Sequence, residues 1–376
     1  MKILFIVPSY KPAYVYGGPI VVIARLAEKL VQMGHDVAVY TTTANGGKEL
    51  DIVANSTVVA DGVKVTYFKR ITGDHTHVSP ALWKAVWSNA RQFDKVHIHS
   101  WWNFLVIGAS FICRWKKLKP LLSPHGMFCD YVFTARNNRS KQLLHTVMGK
   151  RLLRSTYLHV SSELEWKECQ QVNKGWEGGQ VFNLVDLPEG SYARADNDVF
   201  TISFLSRVDP KKGLDLLIRA LSGVSFPYRL LIAGTGDERY VLELKALIAS
   251  LDMENNVEWV GWKGSGEKFH FLAATDLFAL TSRNENFAIV VIEALYVGTP
   301  VLISDQVGLA GYVREHDLGW ITPIDSIEAI SDQLKEAHRD RLRQQYITRH
   351  APGQIREDFN DTRLASSYVE LYEKCN

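Results

Sequence analysis

Two glutamates, Glu285 and Glu293, stand eight residues apart in a stretch from Ser282 to Pro300 that is otherwise mostly apolar. Such a run is buried on folding, and a buried carboxylate is costly unless something pairs with it. The β-branched segment 289–292 is compatible with a strand. Gly298 followed by Pro300 is a helix stop, however, so the spacing predicts a helix from about Asn286 to Gly298 and a strand over 301–303. On that helix Glu285 lies at the mouth and Glu293 two turns inside, about 12 Å along the axis. The N–H groups of Asn286, Phe287 and Ala288 would lie between them, at the positive end of the helix dipole, where an anion is favoured. The order is carboxylate, anion-binding amides, carboxylate. It matches the sugar hydroxyls, diphosphate and ribose hydroxyls of a nucleotide sugar.

A second set of charges fits the same ligand. The segment Ser206-Arg207-Val208-Asp209-Pro210-Lys211-Lys212-Gly213 leaves a predicted strand and enters a helix at Leu214. A guanidinium and an ammonium five residues apart at a strand's carboxyl end can clamp a diphosphate. Arg207 and Lys212 are the expected ligands, with Lys211 the less favoured neighbour. Gly17-Gly18 and Gly234-Thr235-Gly236 each follow a predicted strand and allow a ligand close to the backbone, although each is also an ordinary turn signal. His125-Gly126 follows another strand, where the pair serves equally as a capped turn. His97 and His99 alternate along a strand and read as structural, as do Trp101 and Trp102 unless they line a pocket. Asp196-Asn197-Asp198 fits a metal-binding Asp-x-Asp pattern, but it sits in a polar linker rather than at the end of an apolar strand. No metal is expected there.

These residues need a scaffold that ends several strands at one edge. Short apolar runs alternate with longer helical patterns, with strands predicted over 3–7, 37–41, 63–68, 96–99, 121–123 and 158–160, then over 201–205, 229–233, 257–260, 277–280 and 301–303. This is the rhythm of βα units in parallel sheets. The polar stretch 188–198 marks a boundary between domains at 1–186 and 187–354, with a terminal helical segment at 355–376. Two open α/β domains in tandem set the switch points of both sheets on a shared cleft.

A chain of 376 residues supports two cores, and a net charge of +2 argues against a dedicated nucleic-acid binder. Cys113, Cys129, Cys169 and Cys375 show no paired spacing, which fits a reducing compartment and no disulfide framework. The opening apolar run stops at Pro8 and reads as a strand rather than a signal peptide, and nothing reaches the ~18 apolar residues of a membrane span. Ten Lys/Arg residues between Arg114 and Arg154, interrupted by one acid, Asp130, are either a solvated face or a surface for anionic lipid.

The pattern Glu-x7-Glu followed by Ala-Leu-x-x-Gly-Thr-Pro-Val, with Ser282, Phe287, Ala294, Gly298 and Pro300, resembles the signature of the family-4 retaining glycosyltransferases. One position departs: the residue after Phe287 is usually glycine and is Ala288 here, and its methyl narrows the approach of sugar or phosphate. The resemblance covers nearly the whole chain. It implies an α/β GT-B fold, two Rossmann-like parallel-sheet domains facing across a cleft, acceptor on the first and donor on the second, with the last helix crossing back to the first.

For individual residues, the resemblance implies Gly17 and Gly18 beside the donor diphosphate and the acceptor, and His125 facing the transferred sugar. Arg207 and Lys212 would hold the diphosphate, with Gly234 and Gly236 in a donor-side turn. Trp262 either closes the nucleobase pocket or lies in the core. Glu285 would hold the sugar and Glu293 the ribose. The implied activity is hexosyl transfer with retention from a UDP- or GDP-linked sugar to a glycan or lipid-linked acceptor, as in bacterial surface polysaccharide or lipopolysaccharide synthesis. No cofactor or metal is implied, and the expected location is the cytoplasm, with peripheral contact at the inner face of the cell membrane. A GT-B nucleotide-sugar epimerase or a non-catalytic nucleotide-sugar-binding module would share the shape.

Overall fold

The computed structural model describes residues 1–129 and 149–375. Arg136, Arg139 and Lys141 of the basic run lie outside the described residues. The chain divides into two compact units, Met1–Asp186 with Phe359–Asn376, and Leu187–Asp358.

The first unit is built on an eight-stranded sheet. In spatial order its strands are Gly178–Gln180, Tyr157–Val160, Leu121–Ser123, Lys95–His99, Lys2–Ile6, Asp36–Thr42, Val63–Phe68 and Thr57–Ala60. All pairs are parallel except the last, where Thr57–Ala60 runs antiparallel to Val63–Phe68. Parallel strands are covered on both faces and therefore read as continuous apolar runs, and Ile3, Leu4, Phe5 and Ile6 are all fully buried. The helix Asp361–Lys374 belongs to this unit. Its Tyr372 hydroxyl meets His97 Nδ1 at 2.8 Å, and Asp361 receives the Arg25 guanidinium at 2.6 Å.

The second unit has a six-stranded, wholly parallel sheet in the order Val257–Gly261, Tyr228–Ala233, Phe200–Leu205, Leu277–Leu280, Val301–Ser304 and Gly319–Thr322. Counted within the unit this is 3-2-1-4-5-6, the doubly wound order. Its switch point falls between Phe200–Leu205 and Leu277–Leu280. Ligands of such sheets sit beyond the carboxyl ends of the strands at that point.

Two of the unpredicted strands contain glycines that sequence alone reads as turns. A Cβ on Gly178 would lie 2.2 Å from the Leu158 carbonyl oxygen, and one on Gly319 would lie 2.1 Å from that of Val301. These glycines let neighbouring strands approach. A third, Thr57–Ala60, is an exposed edge strand with no buried face to set a pattern.

The helix after Leu277–Leu280 spans Ile289–Tyr296, so it opens three residues later than the sequence suggests. Two features hold 285–288 out of it. Glu285 is drawn into main-chain pairing with Gln306 and Gly308, and Ala288 adopts a left-handed conformation at φ 64°, ψ 70°. The β-branched run is helical because burial overrides propensity: Val291, Ile292, Ala294 and Leu295 are fully buried. Gly298 ends the helix at φ +81°, where a Cβ would lie 2.8 Å from the Thr348 oxygen in the helix Arg341–Asp358.

Candidate active site

In the second unit the two loops at the switch point are laced together. Thr281 Oγ1 donates to the Gly213 carbonyl at 2.7 Å, the Arg283 N–H donates to the Lys211 carbonyl at 2.8 Å, and the Ser282 hydroxyl donates to the same oxygen at 3.0 Å. The Arg283 guanidinium grips both Asp215 carboxylate oxygens at 2.8 and 2.7 Å and the Pro210 carbonyl at 2.7 Å. Burial alone would raise the Asp215 carboxyl. The hydrogen bonds and positive charge of Arg283, with smaller contributions from the Asp215 main chain and the Tyr240 hydroxyl, together outweigh it and hold the group below its ordinary range.

Gly213 is indispensable to this lacing. It sits at φ +67°, and a Cβ there would lie 1.9 Å from the Thr281 oxygen.

The lacing brings Lys212 and Glu285, 73 residues apart in sequence, into direct contact. The Lys212 ammonium donates to Glu285 Oε2, and both side chains are largely buried. Glu285 is fixed through its backbone as well: its N–H donates to the Gln306 carbonyl at 3.0 Å and its carbonyl accepts from the Gly308 N–H at 2.8 Å. Glu285 is thus held through its main chain and through its carboxylate.

Glu293 is buried further along the helix and accepts a bond from Lys268, on the helix Ser265–Ala273. Arg207 is exposed at the end of Phe200–Leu205. Gly234 and Gly236 pack against its loop, where Cβ atoms would lie 1.8 Å from the Ser206 oxygen and 1.9 Å from the Val208 oxygen. These glycines therefore have a structural reason besides any ligand. Trp262, 61% exposed, is not a core residue. Asn286, Phe287 and Ala288 precede the helix instead of opening it, and the amides at its mouth are those of Ile289 and Val290. Asp196 and Asp198 are exposed, and among the described residues no group of three His, Cys, Asp or Glu side chains is placed to hold a metal ion.

In the first unit Gly17, at φ +77°, caps the helix Gly18–Gln32. A Cβ on it would meet nothing within 4 Å, so the demand for glycine is conformational. His125 follows Leu121–Ser123 at φ 52°. Its Nε2 is 3.0 Å from His99 Nδ1, and the two rings stack at 5.3 Å. Beneath them runs a buried chain: His97 Nε2 to Ser123 Oγ at 2.6 Å, Ser123 Oγ to His159 Nδ1 at 2.6 Å, and His159 Nε2 to the Val181 carbonyl at 2.9 Å. Burial, helped by the charge that His159 would carry, pulls His125 down to about 3. His125 is therefore a neutral hydrogen-bonding group at physiological pH. Trp101 is a core residue, and Trp102 Nε1 donates to the Met127 carbonyl at 2.6 Å.

Sequence reasoning missed Arg283, Asp215 and Lys268. A signal existed for the first two: Arg283 stands two residues before Glu285 and Asp215 three after Lys212, so charges flank both motif residues. Lys268 lies at the polar start of the helix Ser265–Ala273, with nothing in its neighbourhood to mark it.

A doubly wound sheet places its ligand crevice at the switch point, and here the loops at that point bring a lysine and a carboxylate together. Two family models match the chain, Glycosyltransferase Family 4 over residues 16–169 and Glycosyl transferases group 1 over residues 193–354. The chain belongs to these glycosyltransferases, and its two units have the GT-B fold. An uncharacterised glycosyltransferase of Methanocaldococcus jannaschii is 25% identical over 99% of this chain and 98% of its own length. A phosphatidyl-myo-inositol mannosyltransferase of Mycobacterium leprae is 31% identical over 52% of each chain. Among solved structures, Anabaena HepE in complex with UDP and glucose superposes with a TM-score of 0.72 at 20% identity, covering 100% of both chains.

Proposed function

We propose that this enzyme transfers a hexosyl group, with retention at the anomeric carbon, from a UDP- or GDP-linked sugar to a glycan or lipid-linked acceptor of surface polysaccharide or lipopolysaccharide synthesis. The observation that carries this reading is the Lys212–Glu285 contact at the switch point. Without a donor the two charges neutralise each other. A donor diphosphate offers Lys212 a second anionic partner, and Glu285 can then accept bonds from the sugar hydroxyls.

As the bond from the anomeric carbon to the diphosphate oxygen breaks, negative charge grows on the phosphate. Lys212, Arg207 and the amides of Ile289 and Val290 stabilise it. The acceptor hydroxyl attacks from the face the phosphate leaves, and its proton passes to the departing phosphate oxygen. Glu293 holds the ribose diol. No metal ion takes part. Support comes from HepE, crystallised with UDP and glucose, and from relatives named for lipopolysaccharide core and colanic acid biosynthesis. The enzyme works in the cytoplasm, with peripheral contact at the inner membrane face when its acceptor is lipid-linked.

The test is turnover with the cognate donor and acceptor, with the product anomer read by NMR. Glu285→Ala lowers kcat strongly, Glu293→Gln mainly raises the donor KM, and the product keeps the donor's anomeric configuration. Unchanged turnover in Glu285→Ala, or an inverted product, overturns the reading.

A further inference from the structure

In the second unit Arg194, Arg341, Gln344, Gln345, Thr348 and Arg349 line a cavity of about 260 Å³. Three of these side chains are guanidinium groups and none is acidic. Arg194 Nη1 donates to the Gly298 carbonyl at 2.9 Å and to Thr299 Oγ1 at 3.2 Å, and its Nη2 donates to the Thr275 carbonyl at 3.1 Å. Thr275 and Thr299 stand just before the strands Leu277–Leu280 and Val301–Ser304. The cavity therefore lies at the amino edge of the sheet, whereas Lys212 and Glu285 meet beyond its carboxyl edge. The other five residues come from the first half of the helix Arg341–Asp358.

The charges around the cavity do not balance. The Arg194 side chain is 25% exposed, yet its close partners are two carbonyls and a hydroxyl, all neutral. Asp276 Oδ1 stands 4.0 Å from Arg194 Nη2, at the outer limit of an ion pair. Asp276 Oδ2 accepts from the Thr201 N–H at 2.8 Å and from Asn197 Nδ2 at 3.2 Å. Burial lowers the Arg194 guanidinium from its ordinary value, and the Asp276 charge only partly opposes it. Arg341 lies 5.6 Å from the Phe200 ring centroid and donates to Gln344 Oε1 at 3.3 Å, again a neutral partner. Among the described residues neither Arg341 nor Arg349 pairs with a carboxylate. His338 registers the excess: burial first, then the charges of Arg341 and Arg339, hold its imidazole below its ordinary value. Exposed arginines alone would be unremarkable. Here one cation is largely withdrawn from water without a close counter-ion, and such a charge is costly until it is paired.

We infer that this cavity binds a phosphoryl group, of free phosphate or of a small phosphomonoester, with Arg194, Arg341 and Arg349 as its ligands. Guanidinium forks meet phosphate oxygens through parallel N–H bonds, and three cations suit a doubly charged anion better than a single carboxylate. Gln344, Gln345 and Thr348 supply amide and hydroxyl groups for the remainder of an ester. Sites for drug-sized ligands occupy roughly 300–1,000 Å³, so about 260 Å³ is too small for a nucleotide sugar and this is no second donor site.

The test is titration calorimetry of the full-length Lys212→Met chain, in which the switch-point cation is removed, with inorganic phosphate and separately with glycerol 3-phosphate. Chloride holds the ionic strength constant. Saturable binding of at least one probe is expected. Adding Arg341→Gln and Arg349→Gln lowers that affinity more than about tenfold, the value of a lost hydrogen bond between charged groups. Both positions are exposed, and melting of the variant at its parent's midpoint without phosphate shows that folding is intact. Arg349→Glu alone, which sets a carboxylate at the cavity, gives a comparable loss. Tighter binding of glycerol 3-phosphate assigns the site to an ester, and tighter binding of phosphate assigns it to the free ion. No saturable binding of either probe by the Lys212→Met chain, or parental affinity in the folded arginine variants, overturns the proposal. Neither result bears on glycosyl transfer, which is read by turnover and nucleotide binding.

Discussion

Gly213→Ala probes the lacing that presents Lys212 to Glu285. An L-residue held at φ +67° is disfavoured by about 1–2 kcal/mol. The new methyl would also start 1.9 Å from the Thr281 oxygen, so that main chain must retreat by more than 1 Å to reach an ordinary contact. The retreat breaks the Thr281 hydroxyl bond to the Gly213 carbonyl and the Arg283 N–H bond to the Lys211 carbonyl, each about 1 kcal/mol net. Alanine's stiffer unfolded chain recovers up to about 1 kcal/mol. The net loss is about 3 kcal/mol, which for a unit of this size lowers the melting midpoint by roughly 6–12 °C. Differential scanning calorimetry reads it directly. Gly213→Asn separates the two causes: asparagine tolerates the left-handed conformation but still carries a Cβ. The clash therefore predicts that asparagine does not restore stability. Melting of the alanine variant within a degree of wild type, or full recovery with asparagine, would refute the reasoning.

Ala288→Gly should stabilise the chain. Relief of a left-handed alanine, about 1–2 kcal/mol, exceeds the flexibility glycine adds to the unfolded state, about 0.5–1 kcal/mol. A calorimetric midpoint raised by roughly 1–4 °C is expected, and a lowered one would contradict it. The buried histidines predict acid sensitivity. Burial lowers His125 to about 3 and His159 to about 4 from an ordinary 6.5. Between those values the unfolded chain binds protons that the folded chain does not, so stability falls as pH drops below 6.5. Urea midpoints should decline from pH 6.5 to 4, with a shallower slope in His125→Asn. Equal slopes would show that His125 is not buried in its neutral form.

Much of the scaffold was legible in the sequence because parallel strands are buried on both faces. Phe200–Leu205, broken only by Thr201 and Ser203, and the uninterrupted Leu277–Leu280 appear as apolar runs ending at polar loops. The same loops announced Arg207, Lys212 and Glu285. What the sequence concealed depends on contacts between distant segments. The helix could not be seen to open at Ile289, because Gln306 and Gly308 hold Glu285 out of it. Lys268 had no local mark, since its partner Glu293 lies 25 residues away on another helix. Gly234 and Gly236 looked like ligand-binding turns, yet their carbonyl neighbours at 206 and 208 already require glycine. Trp262 was ambiguous because an aromatic after a strand serves core and surface alike; its exposure removes the core alternative.

Titration calorimetry with UDP and GDP tests most directly whether the Lys212–Glu285 site receives a nucleotide diphosphate. The wild-type chain should bind at least one of them. Lys212→Met should weaken that binding about 10- to 100-fold, the value of a lost hydrogen bond between charged groups. Lys11→Met, at an ion pair in the first unit, should leave it unchanged provided the variant stays folded. Failure of the wild type to bind either nucleotide, or equal affinity in Lys212→Met, would contradict the account.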